Sequence, residues 1–215
     1  MILKKGGASM LSNFLTRFLG AAAVAAALAT PLCAVASDAD DLRAKLSGLT
    51  AMSADFTVTV VKKDGSQNVS SGKLALKRPD RLILHTLDPD ETVLWTRGEE
   101  ICFFDPFVNQ LSLYSKSQSA DSPFLLLTSS DKKIWDRYEI KKTQNGFLLA
   151  SKKPRDVVSL ELTFDGSAVS SLKLAMKDGS VNTYALKAVR LEAPDSAFDV
   201  KIPEDAEVDD ERGAK

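Results

Sequence analysis

The chain predicts a mainly β protein with a few short α-helices, a meander of about ten or eleven antiparallel strands. Apolar and polar residues alternate with a period of two over most of the stretch from Ala51 to Arg190. Asp64-Gly65, Asp165-Gly166 and Asp178-Gly179 punctuate that alternation. Aspartate-glycine between alternating runs is a strong hairpin signal, because both central residues of the tightest turn need positive φ. Helical spacing is confined to short segments, so strands dominate.

Residues 1–36 read as an export signal. Lys4, Lys5 and Arg17 precede an alanine-rich apolar run from Phe18 to Leu32, and Ala34-Val35-Ala36 offers small residues for cleavage. Cleavage after Ala36 leaves 179 of the 215 residues as one domain. A start at Met10 keeps Arg17 and the whole apolar run, so either start fits. An uncleaved anchor fits less well, since the apolar core is short for a span of about 20 residues. Leu32 before Cys33 is too large for a lipidation signal. The remaining Cys102 has no partner for an intramolecular disulfide and reads as a small buried apolar residue.

Ser37 to Leu49 reads as a helix. Ser37 with Asp40 forms a capping box, Leu42, Leu46 and Leu49 recur at helical spacing, and Gly48 ends it. Strands follow: Phe56, Val58 and Val60; Leu74 and Leu76; Leu82 and Leu84 beyond the Pro79 bend; Leu111 and Leu113. The alternation breaks between Ser119 and Tyr138. There Ser122-Pro123 before Phe124-Leu125-Leu126-Leu127 suits a helix start, giving one or two short helices. Strands resume with Leu160, Leu162 and Phe164, then Leu172, Leu174 and Met176, then Tyr184, Leu186 and Ala188. Pro194 and Pro203 mark an irregular segment, and Glu204 to Lys215 reads as a loose acidic tail. Val93-Leu94-Trp95 and Ile101 to Phe104 are apolar on both alternating faces, so their inward face is left open.

Three of the 28 Lys and Arg and none of the 29 Asp and Glu fall in the signal, so the remainder has a net charge of −4. That balance argues against a nucleic-acid partner. Enzyme chemistry finds little support. His85 is the single histidine, on a strand where it is more often exposed or paired than catalytic. No zinc-ligand cluster, Gly-x-Ser-x-Gly elbow or phosphate-cradling glycine loop is present, and no cofactor is expected. Asp88 and Asp90 flank Pro89 in what reads as a surface turn.

A long antiparallel sheet with one apolar face must cover it. Two readings remain open from the residues: the core of a β-sandwich, or an incomplete barrel whose few helices leave an aliphatic interior free for a ligand. Three segments bear on that choice: Lys77-Arg78-Pro79-Asp80, Phe104-Asp105-Pro106-Phe107-Val108-Asn109-Gln110, and Val208-Asp209-Asp210-Glu211-Arg212. In their order and spacing they resemble the periplasmic outer-membrane lipoprotein carriers of the LolA type.

The resemblance implies an unclosed antiparallel barrel with a helical lid over an apolar cavity. It implies a periplasmic chaperone, monomeric and not an enzyme, that takes acylated lipoproteins from an ATP-driven inner-membrane transporter to an outer-membrane receptor. Arg78 would tie the lid to the barrel through backbone carbonyls. Leu42, Leu46, Phe56, Val58, Leu74, Leu76 and Leu82 would line the acyl cavity, as would Leu84, Phe124, Leu160, Leu162, Leu172, Leu174 and Tyr184. Phe107 and Val108 would lie at the cavity mouth or on a partner surface. The chain departs from the family in having aliphatic Leu82, Ile83 and Leu84 where aromatics are common, and in lacking an aromatic ahead of the first strand. Rival readings are a regulator sensing mislocalised lipoproteins on the same fold, a binder of other amphiphiles, and, remotely, a hydrolase using His85.

Overall fold

The computed structural model describes residues 37–117, 123–129 and 131–213. The export signal and the Ser122 cap lie outside the described residues. The chain opens with helix α1 (Asp38–Ser47), where Ser37 accepts from the Asp40 N–H and Asp40 answers the Ser37 N–H. Six strands follow: β1 (Ala51–Val61), β2 (Gln67–Lys77), β3 (Arg81–Asp88), β4 (Thr92–Arg97), β5 (Glu100–Asp105) and β6 (Gln110–Ser115). Helices α2 (Pro123–Thr128) and α3 (Lys132–Trp135) fill the break in alternation. Then come β7 (Tyr138–Lys142), β8 (Gly146–Ser151), β9 (Val157–Asp165), β10 (Ala168–Met176), β11 (Val181–Arg190), a 3-10 turn (Asp195–Phe198) and β12 (Glu207–Asp210).

The twelve strands form one sheet, ordered β12-β6-β5-β4-β3-β2-β1-β11-β10-β9-β8-β7, and it does not close. The unclosed, mainly antiparallel architecture is as expected, with one strand more. That strand corrects the reading of the tail as loose. Glu207 to Asp210 pair in parallel with Gln110 to Leu113, and the Glu211 N–H donates to the Leu113 carbonyl at 2.9 Å.

The hairpins also differ from expectation in detail. Gly65, Gly166 and Gly179 take positive φ (84°, 56° and 88°), whereas their preceding aspartates do not. At the first hairpin the Gly65 N–H bonds back to the Lys62 carbonyl and the Lys62 N–H reaches the Ser66 carbonyl, a turn one residue longer than the tightest kind. The glycine then supplies the single left-handed residue of a bulged turn. Near the end of β11 the register shifts opposite Ser53 and Asp55, and Ala188 there takes φ 49°. The slip reverses the alternation: Ala188 faces out, and Val189 packs against the core.

Each face of the sheet is covered differently. The concave face carries the main core, where Leu42 and Leu46 of α1, Leu126 and Leu127 of α2, and Trp135 of α3 meet leucines of β2, β8, β9 and β10. On the convex face, Ile83, Val93, Trp95, Cys102, Phe104, Leu111 and Leu113 form a second cluster. The irregular segment after β11 covers it with Ala193, Ala197, Phe198, Val200 and Ile202. Asp195 fastens that segment, accepting from Lys77 at 2.9 Å and Arg81 at 2.8 Å. The Arg81 guanidinium also lies 4.3 Å from the Phe198 ring centre. Strands β4 and β5 carry apolar residues on both faces, and the irregular segment covers the convex one.

Candidate lipid-binding site beneath the helices

Arg78 follows the last residue of β2, and its guanidinium reaches the ends of two helices. Nη1 donates to the Leu46 carbonyl at 2.8 Å and to the Leu127 carbonyl at 3.2 Å, and Nη2 donates to the Ser129 carbonyl at 3.0 Å. The carbonyls in the last turn of a helix have no partner within it. The fixed fork of arginine answers several at once, and its charge suits the negative end of a helix. Burial lowers the Arg78 pKa from its ordinary value, yet arginine keeps its charge in proteins.

The helices differ in how else they are held. At the start of α1, the Asp38 carboxylate accepts the Lys142 N–H at 2.9 Å and Asp41 pairs with the Lys142 ammonium at 2.8 Å. Lys45 donates to the Gly166 carbonyl at 2.8 Å and stands 4.7 Å from the Phe164 ring centre. These bonds fix α1 to the sheet independently of Arg78. For α2 and α3, the Trp135 indole N–H donates to the Ser129 carbonyl at 3.3 Å, and Asp131 caps α3 through the Lys133 N–H. Those bonds run within the segment, which meets the sheet at its far end, where the Lys152 ammonium just past β8 donates to the Asp136 carbonyl at 2.9 Å.

The residues expected to line a cavity lie together on the concave side, mostly as packed core. Leu42, Leu46, Phe56, Val58, Leu74, Leu76, Leu82, Phe124, Leu160, Leu162, Leu172 and Leu174 are buried there, with Leu84 and Tyr184 partly exposed at the margin. Tyr184 joins Phe56 and Phe124, with ring centres 5.9 and 5.1 Å away, and burial raises its pKa. An open apolar hollow of about 400 Å³ continues this core over β3 to β6. Leu82, Leu94, Thr96, Ile101, Phe103, Tyr114 and Leu125 line it. Of the expected lining residues, Leu82 faces the hollow; Leu94, Ile101, Phe103, Tyr114 and Leu125 are additions. Sequence reasoning missed the β4 and β5 residues because those strands are apolar on both faces.

Phe107 is 93% exposed and Val108 54% exposed in the turn between β5 and β6, and neither lines the hollow. The Asp105 carboxylate accepts the Phe107 N–H at 2.9 Å and Asn109 takes φ 50°, which fixes the turn. His85 lies 2.8 Å from the Glu91 carboxylate. Cys102 is fully buried in the convex cluster, and burial pushes its thiol pKa up. Among the described residues, no group of three or more His, Cys, Asp or Glu is placed to hold a metal ion.

The family described as outer membrane lipoprotein carrier protein LolA matches residues 47–201. An outer-membrane lipoprotein carrier protein of Actinobacillus succinogenes is 32% identical over 194 residues, which is 88% of this chain and 93% of that protein. The protein so named from Haemophilus influenzae (strain Rd) is 32% identical over 185 residues, 83% of this chain and 90% of its own length. Among solved structures, an uncharacterised conserved protein of Thermus thermophilus shares the fold. It superposes with a TM-score of 0.52 at 12% identity, covering 81% of this chain and 99% of that one.

Proposed function

The chain belongs to the outer membrane lipoprotein carrier family, and on that premise we propose that it is a periplasmic shuttle for the acyl chains of lipoproteins. The observation that carries this reading is Arg78. One guanidinium joins the ends of α1 and α2 across an apolar face that opens into a hollow.

The magnitudes favour opening on loading. Hydrogen bonds to a charged group contribute about 1.5–3 kcal/mol each, so releasing the Arg78 bonds to α2 and Ser129 costs on the order of 5 kcal/mol. Each buried methylene contributes about 0.8 kcal/mol, so partial burial of acyl chains reaches on the order of 10 kcal/mol. Cargo burial therefore outweighs the lock. A hollow of about 400 Å³ sits low in the range of about 300–1,000 Å³ for small-molecule sites. Several acyl chains need more room, which the α2–α3 segment provides by moving off Leu82, Leu160, Leu162 and Leu174. The α1 helix, held by Lys45 and Lys142, stays with the sheet.

In this reading, export and cleavage after Ala36 deliver a monomer to the periplasm. An ATP-driven inner-membrane transporter loads it, because removing lipid from a bilayer needs an energy source. An outer-membrane receptor with a better-fitting cavity takes the cargo onward. Phe107, exposed on its turn, suits a contact with one of these partners.

Intact mass spectrometry of the protein exported to a periplasm and purified without detergent tests the proposal. Triacylated lipoprotein bound one to one supports it. Free fatty acid or phospholipid alone replaces it with a general amphiphile binder. An empty protein that also excludes apolar fluorescent probes removes the ligand site altogether.

A further inference from the structure

Side chains on the concave face lie in rows that cross the sheet from strand to strand. In one row Ile140 pairs with Leu149, Leu149 with Leu160, Leu160 with Leu174, Leu174 with Asn182, and Asn182 with Val60. All but Asn182 are apolar, and they belong to the main core or pack against it. The Asn182 Oδ1 is buried among them, and no hydrogen-bond donor of the described residues reaches it. A buried acceptor without a donor is costly, and native proteins hold few of them. Two residues on, Tyr184 shares this face of β11, in register between Val58 and Leu172. Its hydroxyl is the second polar group that β11 presents here.

Leu160 and Leu174, which the α2–α3 segment uncovers on loading, share the row with Asn182. An acyl chain lying along that row brings its linkage group within reach of the strand. The hydrocarbon itself offers Oδ1 nothing, and an ester or a carboxylate offers only further acceptors. An amide offers an N–H, the donor that the acceptor lacks. The N–H and carbonyl of an amide point in opposite directions. Side chains two residues apart along a strand, about 7 Å from one another, can therefore bracket it.

We propose that Asn182 selects acyl chains joined through an amide, its Oδ1 accepting the amide N–H while the Tyr184 hydroxyl donates to the adjoining carbonyl. This role rests on the carrier reading and adds to it the linkage that the site prefers. It also biases the empty state toward loading, because cargo answers an acceptor that folding leaves bare. A site built to hydrogen-bond a ligand N–H rejects the analogue that lacks it.

Displacement of N-phenylnaphthylamine from the exported, processed protein tests it, with N-lauroylethanolamine and hydroxyethyl laurate as competitors. The two differ only in carrying N–H or O beside the same carbonyl. The parent should bind the amide about tenfold more tightly than the ester. Asn182→Leu should erase that preference with ester affinity kept, and should unfold at higher urea because the bare acceptor is gone. Asn182→Ala, which adds no bulk to the core, should erase the preference likewise. Tyr184→Phe should weaken both ligands about threefold and leave their ratio unchanged, since both carry the carbonyl. Equal affinity for amide and ester in the parent overturns the proposal, as does a preference that survives in both Asn182 variants. Either result still shows acyl binding, so the carrier reading stands. Displacement by neither ligand removes the acyl site and this role with it, and the mass measurement checks that outcome separately.

Discussion

The Nη1 of Arg78 donates to the carbonyl of Leu127 across 3.2 Å, joining the end of β2 to the last turn of α2. The same side chain holds Leu46 and Ser129, so Arg78→Leu leaves three carbonyls without this donor. The expected loss is on the order of 5 kcal/mol in urea unfolding. Amide exchange should quicken across Leu125 to Ser129 and stay nearly unchanged at Leu42, because α1 keeps Lys45 and Lys142. In lipoprotein transfer, the variant should load but deliver poorly, having lost the bonds that favour the closed, empty state. Arg78→Lys should not restore delivery, since one ammonium does not reproduce the fork. Wild-type exchange and transfer in Arg78→Leu would sink the lock.

The hollow and the packed core separate by mutation. Phe103 lines open space, whereas Leu162 is fully buried beneath the helices. Phe103→Glu should lower the affinity of an apolar fluorescent probe at least about tenfold, the effect of about 1.4 kcal/mol. Its melting temperature should move little, because the new carboxylate keeps access to water. Leu162→Ala should destabilise by about 2–5 kcal/mol with probe affinity per folded molecule retained. If both variants act alike in probe titration and thermal melts, the hollow is not the entry site.

Much of this arrangement is legible in the sequence because it rests on local signals. Alternation marks the strands and Ser37 with Asp40 marks the start of α1, whereas Arg78 is singled out by the family resemblance of the Lys77-Arg78-Pro79 segment and not by a local signal. What is not legible depends on distant cover. Val93, Trp95, Cys102 and Phe104 turn outward because Ala197, Phe198, Val200 and Ile202 cover them, and an irregular segment has no period to announce that role. Leu94 and Phe103 are thereby left for the hollow. The last strand is four residues with three acids, so nothing in its pattern suggests a parallel edge beside β6. The Ala188 slip shows the same dependence, since a bulge set by pairing with β1 reverses an alternation that the residues alone would extend.

Gly72 marks a close approach that no other residue fits. A Cβ built there falls 2.0 Å from the His85 carbonyl oxygen and 2.8 Å from the Thr86 Cα, where the β2–β3 register shifts. Both obstacles are backbone, so the strands must part. Gly72→Ala should destabilise by about 3 kcal/mol, at the upper end for overpacking. Denaturant unfolding checks it, and a loss below about 0.5 kcal/mol would mean the two strands stand further apart.

The tail strand should detach in acid at a pH set by Arg212. Its guanidinium bonds both Asp210 and Glu100, fastening the end of β12 to the β4–β5 hairpin. Side-chain and backbone hydrogen bonds from Arg212 hold the Asp210 carboxyl at about 2, against an ordinary 3.8. Glu100 is also lowered, first by Arg97 and then by Arg212. A carboxylate with a depressed folded pKa stabilises the docked state fully above its free value and loses that contribution as pH falls through the docked value. Asp210 and Arg212 both lie on the tail, so the carboxylate linked to docking is Glu100, and its contribution is lost as pH falls below the ordinary carboxylate range. The amides of Glu207 and Glu211, bonded to the Asn109 and Leu113 carbonyls, report docking by hydrogen exchange. In Arg212→Ala, Glu100 loses one of the two guanidiniums that lower it and the tail loses its ion pair to β5, so release should begin at higher pH than in the parent. Coincident release in the two proteins would mean that the β12–β6 ladder alone holds the tail, and that the ion pairs at its end add nothing to it.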